Sequence, residues 1–471
     1  MLRKIIITGA LFITLTSCSL APQFTTPKVE TPAAFKEEGA AEGSWKAAEP
    51  LAAEERGAWW KVFGDAKLDD LEQKAAAANQ TLKAASARVL EARATAGMAA
   101  PDNLPNISAG ANVVRSEEAA AVAGTPHPFP YTAYQAAGIA SWEPDFFGRV
   151  RDEHKALKLD AEGQQAAYNI ALLSLQADVA QDYFSLRALD AERALLRDAV
   201  KIRTESARIM NKRFKAGVVG EQDDARTEGE LQTAKADLTS TDRRRAMMEH
   251  ALAVLLGQPP ASFTFEESAL TGAPPKIPGG LPSSLLTRRP DISQALSSMA
   301  AANQRIGAAK AAFFPDLSLN ATGGFEAATL GSLFQWSSRT WALGQVAGLA
   351  LSLPIFDNGR HSAGLDRARA AYDEAVANYR QQVLVAFRDA EDNLSEQRLL
   401  AEQAEQQDAA AKAGDRAERL ARIRYDAGET EYLEVSDANR TALEASRAAV
   451  QVNGQRFVTT VTLIRALGGG W

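Results

Sequence analysis

An internal repeat that relates the two halves of the chain is the feature that most limits its fold. Landmarks of the first half return 211 residues later, as with Gly148 and Gly359 or Gly217 and Gly428. Two copies are fewer than the three or more that a solenoid needs to bury a continuous core. Each copy is therefore expected to be completed by other chains, which predicts an oligomer.

The two halves present the same order of elements. The first half, 66–257, reads as a helix, a β-hairpin at about 103–144, a long helix at 149–215 and a return helix to 257. Periodicity of 3.6 residues identifies the helices, and alternation with period two identifies the strands. Its first helix covers about 66–99 and ends close to a proline, which predicts the start of the hairpin there.

The second half, 291–471, repeats this plan with a helix at about 291–312 and a hairpin at about 315–354. A long helix at 360–426 and a return helix to 468 follow. A segment rich in proline and glycine, 258–290, joins the halves. The chain is thus expected to be mainly helical, with two β-hairpins and four strands.

Each long helix is expected to be continuous, because neither 149–215 nor 360–426 contains proline. At ~1.5 Å per residue such a helix would be about 100 Å long. In the first of them, apolar residues follow steps of three and four, which is typical of a coiled-coil seam. The seam comprises Leu172, Leu175, Val179, Leu186, Leu189, Leu196, Val200, Ala207, Met210 and Phe214.

The hairpin strands are about as long as strands that cross a bilayer. An apolar side faces outward in both hairpins, although a small soluble sheet packed on helices would show a similar pattern. Four strands cannot close a barrel, and open edges are not tolerated in lipid, so a membrane sheet would have to be shared between subunits. Three copies would supply twelve strands. The outward residues are Ile107, Val113, Leu317, Leu319, Leu343, Leu349 and Leu351.

The N-terminus predicts export and lipidation. Two basic residues and an apolar run too short to span a membrane precede Leu15-Thr16-Ser17-Cys18, which indicates a signal peptide at 1–17. This tetrapeptide resembles the bacterial lipobox, in which the cysteine receives the lipid, and Cys18 is the single cysteine of the chain. The resemblance also implies sorting to the outer membrane, because Ser19 rather than an aspartate follows the cysteine. Residues 18–65 are expected to be largely extended.

Composition and motifs argue against two other classes of protein. A formal net charge of -7 and a pI near 5.5 do not fit a nucleic-acid-binding protein. The four histidines are scattered, and no catalytic or metal-binding motif of the usual spacing occurs. We therefore expect neither an enzyme nor a bound cofactor or metal.

Several segments resemble the TolC-like outer-membrane efflux lipoproteins of the OprM and NodT type. The resemblance is carried by Arg288-Arg289-Pro290-Asp291-Ile292, by residues 301–317, by Trp59-Trp60 and by residues 353–360. It covers essentially the whole chain. It implies a homotrimer with a shared twelve-stranded β-barrel in the outer membrane and a long α-helical barrel in the periplasm. It also implies a periplasmic adaptor protein and an inner-membrane transporter of the resistance-nodulation-division type as partners.

The resemblance further implies a periplasmic gate of carboxylates, at Glu434 and Asp437 and, in the first half, at Asp223. The alternative is that these are ordinary acids on solvated helix surfaces. The adaptor would contact the tip turns at Gly217 and Gly428. Where the family's best-known member has an arginine this chain has Thr430, so the gate is either looser or uses Arg226 instead.

Three functions therefore remain to be compared. The resemblance favours the exit duct of a tripartite pump that exports drugs or other small molecules. The same duct could serve a type I secretion system or a metal exporter. A non-conducting periplasmic coiled-coil lipoprotein would explain the long helices and Cys18 but not the two matched hairpins.

Overall fold

The computed structural model describes most of the chain beyond the lipidation motif. Cys18 and the signal peptide lie outside the described residues, as do residues 38–56 of the segment before the first helix. The described residues are 19–37, 57–119, 121, 126–277, 280, 282–343 and 349–469. They divide into two compact units, which are treated separately below.

The helices account for most of the described residues, so the expected mainly helical class with antiparallel strands is confirmed. In the part of the chain that the structure covers, no helix is long and apolar enough to cross a membrane. The helices are α1 (Ala66–Ala78), α2 (Gln80–Ala99), α3 (Arg149–Lys215), α4 (Glu221–Leu255), α5 (Pro282–Arg288), α6 (Pro290–Ala311), α7 (Arg360–Asp426) and α8 (Tyr432–Ala466).

The first unit comprises Met1–Lys28, Arg88–Gln165 and Gln294–Arg380, and it contains the β-sheet. Each hairpin strand is directly continued by a helix: α2 leads into β1, β2 into α3, α6 into β3, and β5 into α7. The strands are β1 (Asn106–Glu118), β2 (Phe129–Trp142), β3 (Asp316–Ala327), β4 (Arg339–Leu343) and β5 (Leu349–Ser352).

All neighbouring strands in the sheet are antiparallel, in the order β1-β2-β3-β4. β5 also pairs with β3, and Leu319 has partners in both β2 and β5, so β4 and β5 share one edge of β3. The expected fourth strand is therefore described as two pieces, while residues 344–348 lie outside the described part. β1 forms one edge of the sheet, and β4 with β5 forms the other.

The second unit comprises Val29–Ala87, Ala166–Ser293 and Gln381–Trp471, and its described residues are almost entirely helical outside the connecting segment. Its core includes much of the expected seam, since Leu175, Val179, Leu186, Leu196 and Met210 are buried. The seam is less complete than its spacing suggests. Within one chain Leu172 and Leu189 are half-buried, and Phe214 is 37% exposed.

The helix expected over about 66–99 is interrupted at Asn79. Asn79 adopts an extended backbone, and its side-chain amide donates to the Leu255 carbonyl at 2.9 Å. Its side-chain oxygen accepts from the Leu82 backbone N–H, also at 2.9 Å, which caps the start of α2. One asparagine therefore ends one helix, begins the next and ties both to α4.

A buried acid holds three helices of the second unit together. Glu192 on α3 is 2% exposed and accepts hydrogen bonds from Arg244 on α4 at 3.0 Å and Arg447 on α8 at 2.9 Å. Burial alone would raise the pKa of Glu192, but the hydrogen bonds from the two arginines hold it below its usual value. Loss of one arginine would leave a poorly compensated buried charge.

The backbone conformation at the ends of the two halves shows the same repeat as the sequence. Gly257 ends the first half with φ +66°, and Gly468 ends the second with φ +92°. At Gly257 an added Cβ would lie 2.6 Å from the Ala78 carbonyl oxygen, and at Gly468 it would lie 3.0 Å from that of Arg288. Both positions combine left-handed backbone with a close backbone approach, which only glycine accommodates without strain.

Candidate functional site

The sheet of the first unit has one apolar side and one polar side. Antiparallel pairing sets Ile107 opposite Ala140, Ala140 opposite Ala321, and Ala321 opposite Leu343. Because side chains alternate along a strand, this register fixes the members of each face. Over most of the strand length, the apolar face comprises Ile107, Ala109, Ala111, Val113, Tyr134, Ala136, Gly138, Ala140, Trp142, Leu317, Leu319, Ala321, Gly323, Phe325, Trp341, Leu343 and Leu351. Towards the hairpin loops the same face also carries Arg115, Glu117, Thr132 and Arg339.

The exposure of the apolar face within one chain is high. Ile107 is 80% exposed, Trp341 75% and Leu351 67%. The sequence analysis predicted seven outward-facing apolar residues. Six of them have described side chains, and all six lie on this face. The side chain of the seventh, Leu349, lies outside the described part. An apolar surface of this extent requires an apolar partner.

The opposite face carries most of the polar residues of the strands. Val114, Tyr131 and Ile139 are its large apolar exceptions. Its polar members are Asn106, Ser108, Asn112, Ser116, Gln135, Ser141, Asp316, Ser318, Asn320, Thr322, Glu326, Thr340 and Ser352. The sheet can therefore separate an apolar medium from an aqueous one.

The two helix-end turns of the second unit have the same geometry. Gly217 and Gly428 adopt φ +70° and +76°. In each turn the following residue donates back to the helix, from Val218 N–H to the Arg213 carbonyl and from Glu429 N–H to the Arg424 carbonyl, both at 2.9 Å. These are helix C-caps of the type that glycine favours. Gly217 and Gly428 themselves are exposed, as a contact surface for an adaptor would require.

The acids expected at a gate lie at the starts of the two return helices. Glu434 and Asp437 are one turn apart on α8, and their side chains are 55% and 59% exposed. Asp223 lies in the first turn of α4 and is half-buried. Helix N-termini stabilise negative charge, so their first-turn positions give Glu434 and Asp223 a structural role, whereas Asp437 lies beyond the first turn. Within the described part of one chain, Asp223 takes no part in the ion pairs that Glu434 and Asp437 form.

Arg424, rather than Arg226, pairs with the expected gate. Its guanidinium lies 3.4 Å from the Glu434 carboxylate and 3.8 Å from that of Glu429. Asp437 pairs instead with Arg440 on its own helix at 3.3 Å. Among the described residues, Arg226 has no ion pair within 4 Å. Within one chain Glu434 therefore pairs with an arginine of α7, which the sequence analysis did not consider.

A second contact joins the ends of the two long helices. Arg213 on α3 donates to the Tyr425 hydroxyl on α7 at 2.6 Å, and its guanidinium carbon lies 5.8 Å from the ring centre. Tyr425 also meets Tyr432 edge to face, with ring centres 5.6 Å apart. Sequence reasoning missed this contact. The repeat could have pointed to this contact. In both halves an arginine and then an aromatic residue lie at the same positions before the tip glycine.

The residues that follow Cys18 are held against the first unit. The Ser19 hydroxyl donates to buried Asp152 at 2.8 Å, and the Asn303 amide donates to the Pro22 carbonyl at 2.8 Å. An added Cβ at Gly307 would lie 2.6 Å from the Ala21 nitrogen, so the segment packs directly on the α6 backbone. Cys18 itself is outside the described residues, but its neighbour lies beside the first turn of α3.

Two acids of the second unit have strongly displaced pKa values. Burial, with a smaller effect of Asp69, raises the pKa of Glu72 to about 9, and neither carboxyl oxygen has a hydrogen-bond partner among the described residues. Burial, with the nearby Asp178, raises the pKa of Asp182 to about 6. No group of three or more potential ligands placed to hold a metal ion occurs in the described part of the chain.

Comparison with known proteins identifies relatives over nearly the full length. The family model described as outer membrane efflux protein matches residues 71–258 and again 281–469, one match for each half. The outer membrane protein OprJ of Pseudomonas aeruginosa is 32% identical over 470 residues, covering 98% of this chain and 94% of that protein. The cation efflux system protein CusC of Escherichia coli O6:H1 is 30% identical, covering 98% and 97%.

The fold is similar to that of solved outer-membrane channels. The crystal structure of the CmeC outer membrane channel of Campylobacter jejuni superimposes with a TM-score of 0.88 at 26% sequence identity. The match covers 96% of this chain and 95% of that one.

Proposed function

The chain belongs to the outer membrane efflux protein family, and we propose on this basis that its two-faced sheet forms the membrane wall of an export duct. The protein is an outer-membrane channel of a tripartite efflux pump. It works as a trimer with a periplasmic adaptor and an inner-membrane transporter such as one of the resistance-nodulation-division type. The residues described above suggest how each part of the duct is built.

The single observation that carries the membrane assignment is the segregation of the sheet into an apolar and a polar face. Lipid would contact the face of Ile107, Trp341 and Leu343, and water in the lumen would contact the face of Asn112 and Thr322. This is the alternation expected of strands between lipid and a water-filled channel. A soluble sheet packed on helices would instead bury its apolar face within the same chain.

Barrel closure requires other copies of the chain. Within the described sheet, β1 at one edge and β4 with β5 at the other have no strand partner on their outer sides. Each unpaired group would cost several kcal/mol in the hydrocarbon, so the edges pair across subunits. Four strand positions in each of three copies give twelve strands, a number found in outer-membrane barrels.

The tip acids and the lipid complete the duct. We place a cation-preferring constriction at Glu434 and Asp437, with Asp223 nearby in the assembled trimer, and we place adaptor contacts at Gly217 and Gly428. Rings of carboxylates select for cations in other channels. Lipid on Cys18 would anchor the chain beside the first turn of α3, where Ser19 is held.

The relatives' names describe different cargoes, since one names a cation efflux system and others an antibiotic or a toluene pump. We propose small-molecule export for this chain, with the specificity supplied by the transporter. The duct contributes a polar passage and a charge-sensitive constriction.

Planar-bilayer conductance combined with the particle mass in detergent tests the proposal. Stable channels from a particle of three chains are expected. A soluble or monomeric particle without channels would instead identify a non-conducting periplasmic lipoprotein.

Two adjacent substitutions test the assignment of the faces. Leu343→Arg puts a charge on the face assigned to lipid, where it should cost ~2–4 kcal/mol and reduce assembly. Ala342→Arg puts the same charge on the face assigned to the lumen, where assembly should persist and cation conductance should fall. Equal effects of the two variants on assembly would contradict the face assignment.

A further inference from the structure

The charged residues that the described strands place on the apolar face of the sheet all lie towards the hairpin loops. They are Arg115 and Glu117 on β1 and Arg339 on β4. All three are exposed within one chain, and none of them has an ion pair among the described residues. Two guanidinium groups and one carboxylate give this part of the face a net positive charge in every copy.

The guanidinium of Arg339 is held against the hairpin loop. It stacks on the ring of Trp336, with its carbon 3.0 Å from the ring centre, and its Nε donates to the Trp336 carbonyl at 2.9 Å. Within the part of the chain that the structure describes, both Nη nitrogens of Arg339 have no hydrogen-bond partner. A guanidinium stacked in this way, with its outer N–H groups available, suits a phosphate bound through two parallel hydrogen bonds.

Large aromatic side chains surround Arg339 on the same side of the sheet. Trp341, two residues away on β4, is 75% exposed, as is Trp336. Phe334 is 72% exposed and contacts Phe325 of the apolar face, with ring centres 5.6 Å apart. Tryptophan is enriched where the hydrocarbon of a membrane meets the headgroups, because its ring is apolar and its N–H is a donor. The aromatic residues therefore indicate one boundary of the membrane-facing band.

The lengths of the strands place both arginines near that boundary. Arg115 follows Ile107, the first apolar outward residue of β1, by eight residues. Phe325, the direct partner of Arg339, follows Leu317, the first such residue of β3, by the same number. Eight residues extend ~27 Å along a strand, which is about 20 Å of height at a tilt of ~40°. This height is close to the ~25 Å of the apolar band in outer-membrane barrels, so both arginines lie where the hydrocarbon ends.

We propose that Arg339 and Arg115 bind the phosphate groups of a phosphorylated glycolipid in the outer leaflet of the outer membrane. The inference rests on the proposed duct, in which the helices lie in the periplasm and the hairpin loops, at the other end of each strand, face outward. The lipids beside these loops are therefore those of the outer leaflet. The Nη groups of Arg339 donate to a phosphate, and the indole N–H groups of Trp336 and Trp341 are placed to donate to the sugar.

The charge balance favours an anionic lipid over another protein surface. The hairpin loops, 119–128 and 328–338, contain no aspartate or glutamate. Glu117 is the one acid that the described strands place on this face, so it can neutralise only one of the two arginines, even if it reaches the neighbouring copy. One net positive charge in each copy remains. Phosphates of the surrounding lipid neutralise it, whereas acyl chains alone would leave it unpaired.

Binding of lipid A, a phosphorylated and acylated sugar, to the purified trimer in uncharged detergent tests the proposal. The unmodified trimer should bind it, as measured by native mass spectrometry. Arg115→Gln combined with Arg339→Gln should weaken binding about tenfold or more, because charge-assisted hydrogen bonds are lost. The matched control is Arg367→Gln, which removes an exposed arginine of α7 outside the sheet and should leave the affinity unchanged.

Two competitors test which source of phosphate is recognised. Phosphatidylglycerol carries one phosphate without the sugar, and inorganic phosphate carries neither sugar nor acyl chains, so both should displace lipid A only weakly. Equal competition by either of them would overturn the assignment to a glycolipid. Equal affinity of the unmodified trimer and the double variant would remove the two arginines from the site.

Glu117→Gln tests for an ion pair between copies instead. Removal of this carboxylate should leave lipid A binding unchanged or make it tighter, because a negative charge near the phosphates is lost. If Glu117→Gln and Arg339→Gln destabilise the trimer alike and lipid A does not bind, Arg339 pairs with Glu117 of the neighbouring copy and the proposal is wrong. An unmodified trimer that conducts but does not bind lipid A would overturn the lipid site and leave the duct intact. Unmodified protein that forms neither trimers nor channels would refute the duct itself.

Discussion

At the scale of single residues, Glu72 is a buried acid that has no hydrogen-bond partner among the described residues. It is 1% exposed, and the buried neighbours on its helix are Leu68, Leu71 and Ala75. Its raised pKa of about 9 means that the folded chain holds a proton that the unfolded chain releases at neutral pH. Folding stability should therefore fall as the pH rises from about 4.5 towards about 9.

Glu72→Gln removes this dependence, because the amide does not titrate. We expect the variant to be stabilised by ~1–3 kcal/mol at pH 8 and by less at pH 5. Thermal unfolding followed by circular dichroism at both pH values measures the effect. Glu396→Gln, an exposed acid on α7, is the control. Equal shifts at pH 5 and pH 8 would show that Glu72 is ionised in the folded protein.

The tip acids give a second prediction at this scale. Glu434→Ala combined with Asp437→Ala should raise single-channel conductance and reduce cation preference, because negative charge at the constriction is removed. Arg424→Ala should shift selectivity the other way, since it frees Glu434 from its partner at 3.4 Å. Unchanged conductance and selectivity in both variants would place these residues on ordinary solvated surface.

At the scale of elements, the packing of the N-terminal segment on α6 depends on a glycine in that helix. Gly307→Ala would drive a Cβ to within 2.8 Å of the Ala21 nitrogen and Cα and of the Asp152 carboxylate. We expect the segment to detach or the protein to lose ~1–3 kcal/mol, despite the better helix propensity of alanine. Limited proteolysis between residues 19 and 37 reports detachment.

The matched control is Gly229→Ala, also within a helix, where an added Cβ meets nothing within 4 Å. That variant should gain up to ~1 kcal/mol from helix propensity alone. If both variants gain stability and resist the protease equally, the packing of Ala21 on Gly307 is not tight in solution.

The elements also show what local patterns can and cannot reveal. The absence of proline predicted the extents of α3 and α7, and the alternation predicted that Leu343 and Ile107 lie on the same face of the sheet. The break at Asn79 was not foreseen, because a single asparagine within an alanine-rich run changes helix propensity only slightly. Asn79 interrupts the helix where its side-chain amide donates to the Leu255 carbonyl, 176 residues away in the chain.

The candidate site shows the same limit. The repeat and the family resemblance singled out Glu434 and Gly428, but the partners of such residues come from tertiary packing. Arg213 meets Tyr425 across 212 residues. Glu72 sits in a helix that is otherwise polar on several faces, so its burial becomes visible only once the helices are packed.

At the scale of the whole molecule, attachment of lipid to the chain should depend on one sulfur atom. Cys18 is the only cysteine of the chain, so no other thiol can receive a lipid. Cys18→Ala should abolish labelling by radioactive palmitate, measured on the purified protein. Ser17→Ala, which keeps the cysteine and a small residue before it, should label normally. Labelling of the Cys18 variant would refute thiol lipidation at this position.

The alternation of the sheet restricts how this molecule can change length over evolution. One inserted residue within β3 would turn every later side chain of that strand to the opposite face, exposing Asn320 and Thr322 to lipid. Two inserted residues would restore the faces and lengthen the strand. Gains and losses within the strands of related chains should therefore occur in even numbers, whereas odd changes should collect in the hairpin loops.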